Sequence, residues 1–287
     1  MLWFFLAIST AFFTSLKDVL GKKTLKNINA TIVAWSWSFF TALVLLPVQV
    51  LAGIPDLGGQ FWVALAVGSV LNAIAFLFYI QAISTSDLSL CLPLIAFSPL
   101  FMAITSPIIV GEWLSWADGL GIGLIVAGSY LLNLQDRRRG YFAPFRALVR
   151  EPGPKLMLLV AFLWSITANV DKVGVQNSSP LFWSFAVFSA IALLQFPLIF
   201  CQSKNPGGQI VKHWRELSLM GFCTAIAVLF QMQALKLTLV VQVIAIKRTS
   251  VLFGVLWGKF LFHESGIRDR FWGATTMLLG VVLMSVF

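Results

Sequence analysis

Charged side chains are scarce in this sequence: they make up 11% of 287 residues, against 59% hydrophobic. A soluble domain carries roughly 25%, because its surface must face water, so this shortage excludes a water-facing exterior over most of the chain. Histidine is nearly missing. The two present, His213 and His263, fall in expected loops and lack metal-ligand spacing, which excludes a histidine metal centre. Of three cysteines, Cys91, Cys201 and Cys223 all lie inside or beside apolar runs without pairing spacing; they read as small hydrophobes and leave the redox compartment open. The eleven acidic residues avoid the middle of every apolar run. A proton relay of the usual buried-acid kind is therefore unsupported, which favours exchange or facilitated transport, with an end-placed Asp still able to couple protons.

What is abundant is apolar sequence in long runs, the pattern a bilayer selects. Spans are expected near Leu2–Leu16, Ala30–Leu51, Phe61–Ile83, Leu88–Val110 and Leu114–Leu134. A second set follows near Leu156–Val170, Pro180–Cys201, Leu217–Leu235, Leu239–Phe262 and Phe271–Phe287. The first, sixth and tenth are short against the roughly 17–25 residues that cross a bilayer. The first run has no basic n-region and is followed by lysines, so no cleavable signal is expected. The fold class is an all-α polytopic membrane protein.

The two halves repeat. Gln81-Ala82-Ile83 returns as Gln233-Ala234-Leu235, and Glu112, Gly121 and Gly128 return as Glu264, Gly273 and Gly280, all at an offset of 152. Lys22 and Pro47 match Lys172 and Pro197 at an offset of 150. Five crossings per half is an odd number, so the second copy is inverted relative to the first. The organisation reads as a first repeat over 1–134, a basic loop over 135–155 and a second repeat over 156–287. Inverted repeats are common in secondary transporters, whose sites lie near the midplane between repeats.

The net charge of +9 invites a nucleic-acid partner, but the basic residues sit in short loops, which suits headgroups and topology control better. Sixteen Lys and Arg fall on the side of the 1–2, 3–4, 5–6, 7–8 and 9–10 connections, among them Lys17, Lys22, Lys23 and Lys26 after span 1. The opposite loops hold only Lys172 and Lys236. Positive-inside then places the sixteen in the cytoplasm and both termini on the non-cytoplasmic side.

Pro99-Leu100-Phe101, Val110-Gly111-Glu112, Gly119-Leu120-Gly121-Ile122-Gly123 with Gly128, and Gly258, Glu264, Gly273 and Gly280 carry a resemblance. Together with the repeat, they make the chain resemble the drug/metabolite transporter superfamily and its EamA-type ten-helix members, over nearly its whole length. The resemblance implies a multi-pass transporter of a bacterial inner membrane without a cofactor, working by alternating access. The chain departs from familiar members in having no Lys or Arg after span 2 or at the C-terminus.

The sharpest candidate site is Lys247-Arg248, about 12 Å into span 9 at 1.5 Å per residue. Burying one such cation costs about 2.5–3.5 kcal/mol on insertion scales. The matching residues of the first repeat, Ile95 and Ala96, are apolar, so the scaffold does not require the pair. Compensation is expected from a counter-ion, water or an anionic ligand; the alternative is a span that starts later, with the pair at the interface. Lys247 would share a small-residue face with Val251, Gly254 and Gly258. The pair is similar to that of plastidic sugar-phosphate translocators of the same superfamily, where it grips the substrate phosphate. That implies an anion clamp, with Arg as a fork and Lys as a point charge. Those proteins use a further lysine in an earlier helix and span 4 has none here, so the expected class is a small organic anion or amino-acid-like solute.

Weaker candidates for lining a cavity are Asn72, Phe76 and Tyr79 on one face of span 3, Trp164, Thr167 and Asp171 on span 6, and Thr224 and Gln231 on span 8; interhelical hydrogen bonding explains such residues equally. Trp35 and Trp37, which flank Ser36 in span 2, form a further set that could line a cavity. Asp18 and Asp171 adjoin lysines and are expected to pair locally, while Glu112 and Glu264 are expected to cap helices or anchor the interface. Gly254–Lys259 has the wrong glycine spacing for a phosphate loop. The rival to transport is a membrane enzyme or flippase handling lipid or polyprenyl phosphate, which lacks clustered acids or a metal motif. A non-transporting scaffold is disfavoured by the near absence of soluble mass. The partners implied are a small solute and the lipid bilayer, with oligomeric state open.

Overall fold

The computed structural model describes residues 1–25, 28–86, 94–133, 151–203, 205–262 and 267–286. The expected start of span 4 at Leu88, most of the basic loop and the Glu264 connection lie outside them. The elements are α1 (Leu2–Thr24), α2 (Ala30–Ala52), α3 (Phe61–Thr85), α4 (Ser98–Val110), α5 (Trp116–Asn133) and α6 (Pro152–Gln176). They continue with α7 (Pro180–Gln202), the short α8 (Pro206–Lys212), α9 (Trp214–Leu237), α10 (Val240–Lys247), α11 (Ser250–Phe262) and α12 (Ile267–Val286). Six of them, α1, α2, α3, α6, α7 and α9, are each long and apolar enough to cross a membrane, and α4, α5 and α12 contain shorter apolar helices.

Two of the three spans that looked short, the first and the sixth, are full-length helices. α1 runs eight residues past Leu16 and α6 six past Val170. Apolar runs stop at the first charge, but a helix does not: Lys17, Asp18, Asp171 and Lys172 all lie within helical turns. Local chemistry sets the other ends. Asn29 accepts the Thr31 N–H at the start of α2, and Ser179 accepts the Phe182 N–H at the start of α7, where Pro180 occupies the first turn. Gly111 ends α4 at φ +70, a left-handed conformation that glycine adopts without Cβ strain, and so turns the chain to deliver Glu112.

Span 9 departs from the expected single helix. α10 stops at Lys247, and Arg248-Thr249 form a tight turn in which Thr249 N–H bonds Ile246 O at 2.9 Å and Leu252 N–H bonds Thr249 O at 2.8 Å. These i→i−3 bonds replace the α-helical pattern over one turn. Span 4 breaks at the same repeat position, with a turn at Ala96-Phe97 before Ser98, which matches Ser250 at the offset of 152. The break redirects the face expected behind Lys247. A Cβ at Gly254 would meet open space, so Gly254 marks no close helix approach.

The halves interlock through a pseudo-two-fold. α1 packs on α9 as α3 packs on α6, while α2–α7 and α5–α12 each pair equivalent helices of the two repeats. In α5–α12 the backbones touch: a Cβ on Gly128 would strike the Gly273 carbonyl, and one on Gly280 the Gly121 carbonyl. The glycine run of the sequence thus provides close approach of two helices. Gly128→Val is expected to cost about 1–3 kcal/mol through overpacking, read as a lowered melting temperature in detergent. Gly123→Val, on the exposed side of α5 with open space at its Cβ, should melt within experimental error of the parent.

Candidate functional site

Lys247 and Arg248 project from the break in span 9 into the junction of both repeats. The Lys247 ammonium donates to Gln231 Oε1 of α9 at 2.7 Å. Arg248 donates through Nε at 3.1 Å and Nη2 at 2.5 Å to one acceptor, Ser98 Oγ, at the equivalent break in span 4. Among the described residues neither cation has a carboxylate within 4.0 Å. Both acceptors are neutral, and a guanidinium offers five N–H groups and an ammonium three, so most of the donors are left for another partner.

An aromatic wall faces the pair. The Arg248 guanidinium lies 5.9 Å from the Trp164 ring centre. Trp164 is 5.6 Å from Tyr79 and 6.3 Å from Phe76. Phe76 stacks on Trp37 at 4.5 Å, and the Lys17 ammonium sits 4.1 Å above the Trp37 ring. Four rings from three helices thus run between Arg248 and Lys17, an arrangement that holds both cations by cation–π attraction. The indole nitrogen of Trp37 is buried without a hydrogen-bond partner, an orphan donor within this wall.

Four of the six residues singled out from sequence, Tyr79, Trp164, Lys247 and Arg248, therefore fall in one neighbourhood, and Gln231 joins as the partner of Lys247. Asn72, one turn before Phe76 on α3, is half-buried and has no hydrogen-bond partner among the described residues. Trp37 belongs to the span 2 set that the sequence offered as a cavity lining. Sequence reasoning missed two contributors: Lys17 read as a loop cation, and Ser98 was hidden in an apolar run. The repeat offset that pairs Ser98 with Ser250 was the available signal for the last.

A second polar cluster closes one end of the bundle. Lys172, at the end of α6, donates to Glu112 Oε1 and, at 2.7 Å, to the Thr238 carbonyl. Glu112 Oε2 accepts the Val240 N–H at 2.8 Å. A carboxylate of the first repeat thus caps α10 of the second, where the helix dipole favours it. Beside it Gln242 donates to Asp118 Oδ1 at 2.6 Å, and Asp118 Oδ2 accepts the Ser115 hydroxyl at 2.7 Å. Glu112 caps as expected, but across the repeats. Asp171 does not pair with its neighbour Lys172 as the sequence implied; it accepts the Trp183 indole N–H at 2.9 Å. Asp18 does pair with Lys17, at 2.8 Å. On the α4–α6 interface Asn169 bonds Ser106 at 2.7 Å and Thr105 at 3.1 Å, buried interhelical links of the ordinary membrane kind.

A helical membrane protein with two interlocked repeats and a polar site between them has the build of a secondary transporter. A profile of the EamA-like transporter family matches residues 1–134 and again 152–286. The chain belongs to that family, and so to the drug/metabolite transporter superfamily. A Sinorhizobium protein described as an uncharacterized transporter in the cobO 3' region is 26% identical over 134 residues, covering 45% of this chain and 95% of that protein. A crystal structure superposes with a TM-score of 0.81 at 14% identity, over 99% of this chain and 96% of the other, a likeness of fold.

The Glu112–Lys172 pair is mostly buried, with side chains 12% and 10% exposed, so removing one partner strands the other. Lys172→Met is expected to cost about 3–5 kcal/mol. Adding Glu112→Gln should restore part of that loss, a coupling that a double-mutant cycle of melting curves in detergent measures. Additive losses would mean that the two side chains do not stabilise one another.

Proposed function

We propose that the protein is a secondary transporter of a small organic anion, or of an amino-acid-like solute gripped by its carboxylate, working by alternating access. The observation that carries this reading is the pair of adjacent cations at a helix break, held only by neutral acceptors among the described residues. Intramembrane cations without a carboxylate partner carry a large desolvation cost, and an anion that enters with its own charge offsets it. Arg248 supplies the planar fork and Lys247 the compact charge. Tyr79, Trp164 and Trp37 form the wall against which the rest of the solute packs, and the orphan Trp37 N–H suits a second acceptor on it.

Alternating access is supported by the closure at Glu112. The charge distribution of the loops favours that face lying outside the cytoplasm; on that orientation the solute would reach Lys247 and Arg248 from the opposite, basic side in this conformation. Opening the far side requires Glu112 to release both Lys172 and the N-terminus of α10, the half-helix that ends in the anion clamp. A single element thereby links the gate to the site.

The test is a melting-temperature screen of the purified protein in detergent against carboxylates, organic phosphates, amino acids and amphipathic drugs. Hits are followed by counterflow of the labelled compound in proteoliposomes. Anions are expected to stabilise the parent, and Lys247→Met/Arg248→Met to bind them about 10–100-fold more weakly. That is about 1.4–2.8 kcal/mol, the worth of one charge-assisted hydrogen bond. Stabilisation by neutral compounds alone, undiminished in the variant, would make the pair structural. Binding without counterflow, for lipid phosphates only, would favour a lipid-handling protein.

A further inference from the structure

Asp171 is the carboxylate that the site leaves unexplained. It lies five residues before the end of α6 and is 8% exposed. Its one hydrogen-bond donor among the described residues is the Trp183 indole at 2.9 Å. That donor is fixed, since the fully buried Trp183 ring packs against Gly174 and Gly68. Lys172 is turned away to Glu112, and no Lys or Arg nitrogen lies within 4.0 Å of Asp171 among the described residues. A buried carboxylate held by a single neutral donor needs either a cation acting through space or a proton. The packed element that brings a cation toward it is α10, which lies against α6 and ends in Lys247 of the anion clamp.

The geometry ties Asp171 to the site in a second way. Trp164, which faces Arg248, precedes it by seven residues on the same face of α6, about 10 Å along the axis at 1.5 Å per residue. Few other ionisable groups compete for it. Of the helices packed on α6, α4 carries none and α7 only the exposed Cys201. α3 contributes Tyr79, which lies against Trp164. α9 contributes the buried Cys223, with Arg215 and Lys236 exposed and Glu216 in its first turn, and α10 contributes Lys247. Glu112, in the adjoining loop, is already held by Lys172.

We infer that Asp171 is a proton-binding site coupled to the anion site, so that the solute anion travels together with a proton. The inference rests on the reading of Lys247 and Arg248 as the anion clamp. With the clamp empty, the charge of Lys247 favours the ionised carboxylate. A bound anion cancels that charge, and Asp171 takes one proton from the open side onto its free oxygen. No covalent bond other than this O–H is made, and the proton leaves with the anion on the other side. Reciprocity makes the converse hold: protonated Asp171 leaves the clamp its full positive field and strengthens anion binding by the same factor.

The experiment is an infrared titration of the purified protein in nanodiscs, with sulfate as the probe anion and binding followed in parallel by calorimetry. The parent is expected to show a carboxylic-acid C=O band that grows on acidification and is missing in Asp171→Asn. Sulfate should move its midpoint toward higher pH. Sulfate affinity in the parent should rise about tenfold from the alkaline to the acid side of that midpoint, within the usual span of coupling free energies. Asp171→Asn, a permanent mimic of the neutral acid that still accepts from Trp183, should bind at the tight end at every pH. Trp183→Phe should keep the band, which separates proton binding from the hydrogen bond to the indole. A carboxylate that stays ionised throughout, a band that survives in Asp171→Asn, or a pH profile of binding shared by parent and Asp171→Asn would each overturn the proton site. If the band is present but sulfate binds neither the parent nor Lys247→Met/Arg248→Met, the clamp reading fails and the coupling with it, while the proton site stands.

Discussion

Two adjacent cations inside an apolar bundle set the terms for the rest of this molecule. Placing even one Lys or Arg at membrane depth costs several kcal/mol, and no carboxylate answers either of them directly among the described residues. What answers them instead is an array of weaker attractions from both repeats. It comprises the Gln231 amide of α9, the Ser98 hydroxyl of α4 and the ring face of Trp164. The arrangement works because span 9 is broken at Arg248. The turn at Arg248-Thr249 keeps the guanidinium at the junction, where it meets the matching break of the other repeat.

Duplication supplied the frame and departure from it supplied the chemistry. Both repeats carry a broken span, a serine opening the second half-helix, and the glycines that let α5 and α12 touch. Only the second repeat carries charge at the break; the first has Ile95 and Ala96. The same holds at the closed face, where Glu112 of the first repeat bonds Lys172 and the N-terminus of α10 in the second. Among the described residues, the cross-repeat hydrogen bonds that involve a charged side chain gather at two levels, Arg248 with Ser98 and the closure at Glu112 and Asp118, with α10 running between them.

The repeat, the number of crossings and the Lys-Arg pair were legible in the sequence because each depends on periodicity or on a cost that composition alone exposes. The break in span 9 was not. Lys247-Arg248-Thr249-Ser250 contains neither Pro nor Gly, so no local signal ends the helix, and the turn is held by the tertiary contacts of Arg248. Lys17 was misplaced for a related reason. Hydropathy reads a lysine as the end of a span, whereas this one stays within α1 and lays its ammonium on Trp37, as long amphipathic side chains do. Asp171 and Lys172 looked like a neighbouring pair, but successive residues on a helix point about 100° apart, and each found its partner on a different helix.

A closure built from an ion pair suits a contact that must be made and broken in every cycle of the proposed transport. An apolar plug of similar area would gain its stability from water it excludes, and opening it would expose that surface at full cost. A carboxylate and an ammonium near the membrane face exchange each other for water, so the difference between closed and open is only the small net remainder of two large terms. Glu112 and Lys172, at 12% and 10% exposure, sit where that exchange is possible without carrying either charge far. Lys247 and Arg248 lie at the far end of α10 and have no carboxylate within 4.0 Å among the described residues, so on the proposed reading an anion completes what their neutral acceptors leave. On this reading the closure is balanced by water and the clamp by solute, and the different position of the two charge clusters along α10 is what separates gating from binding.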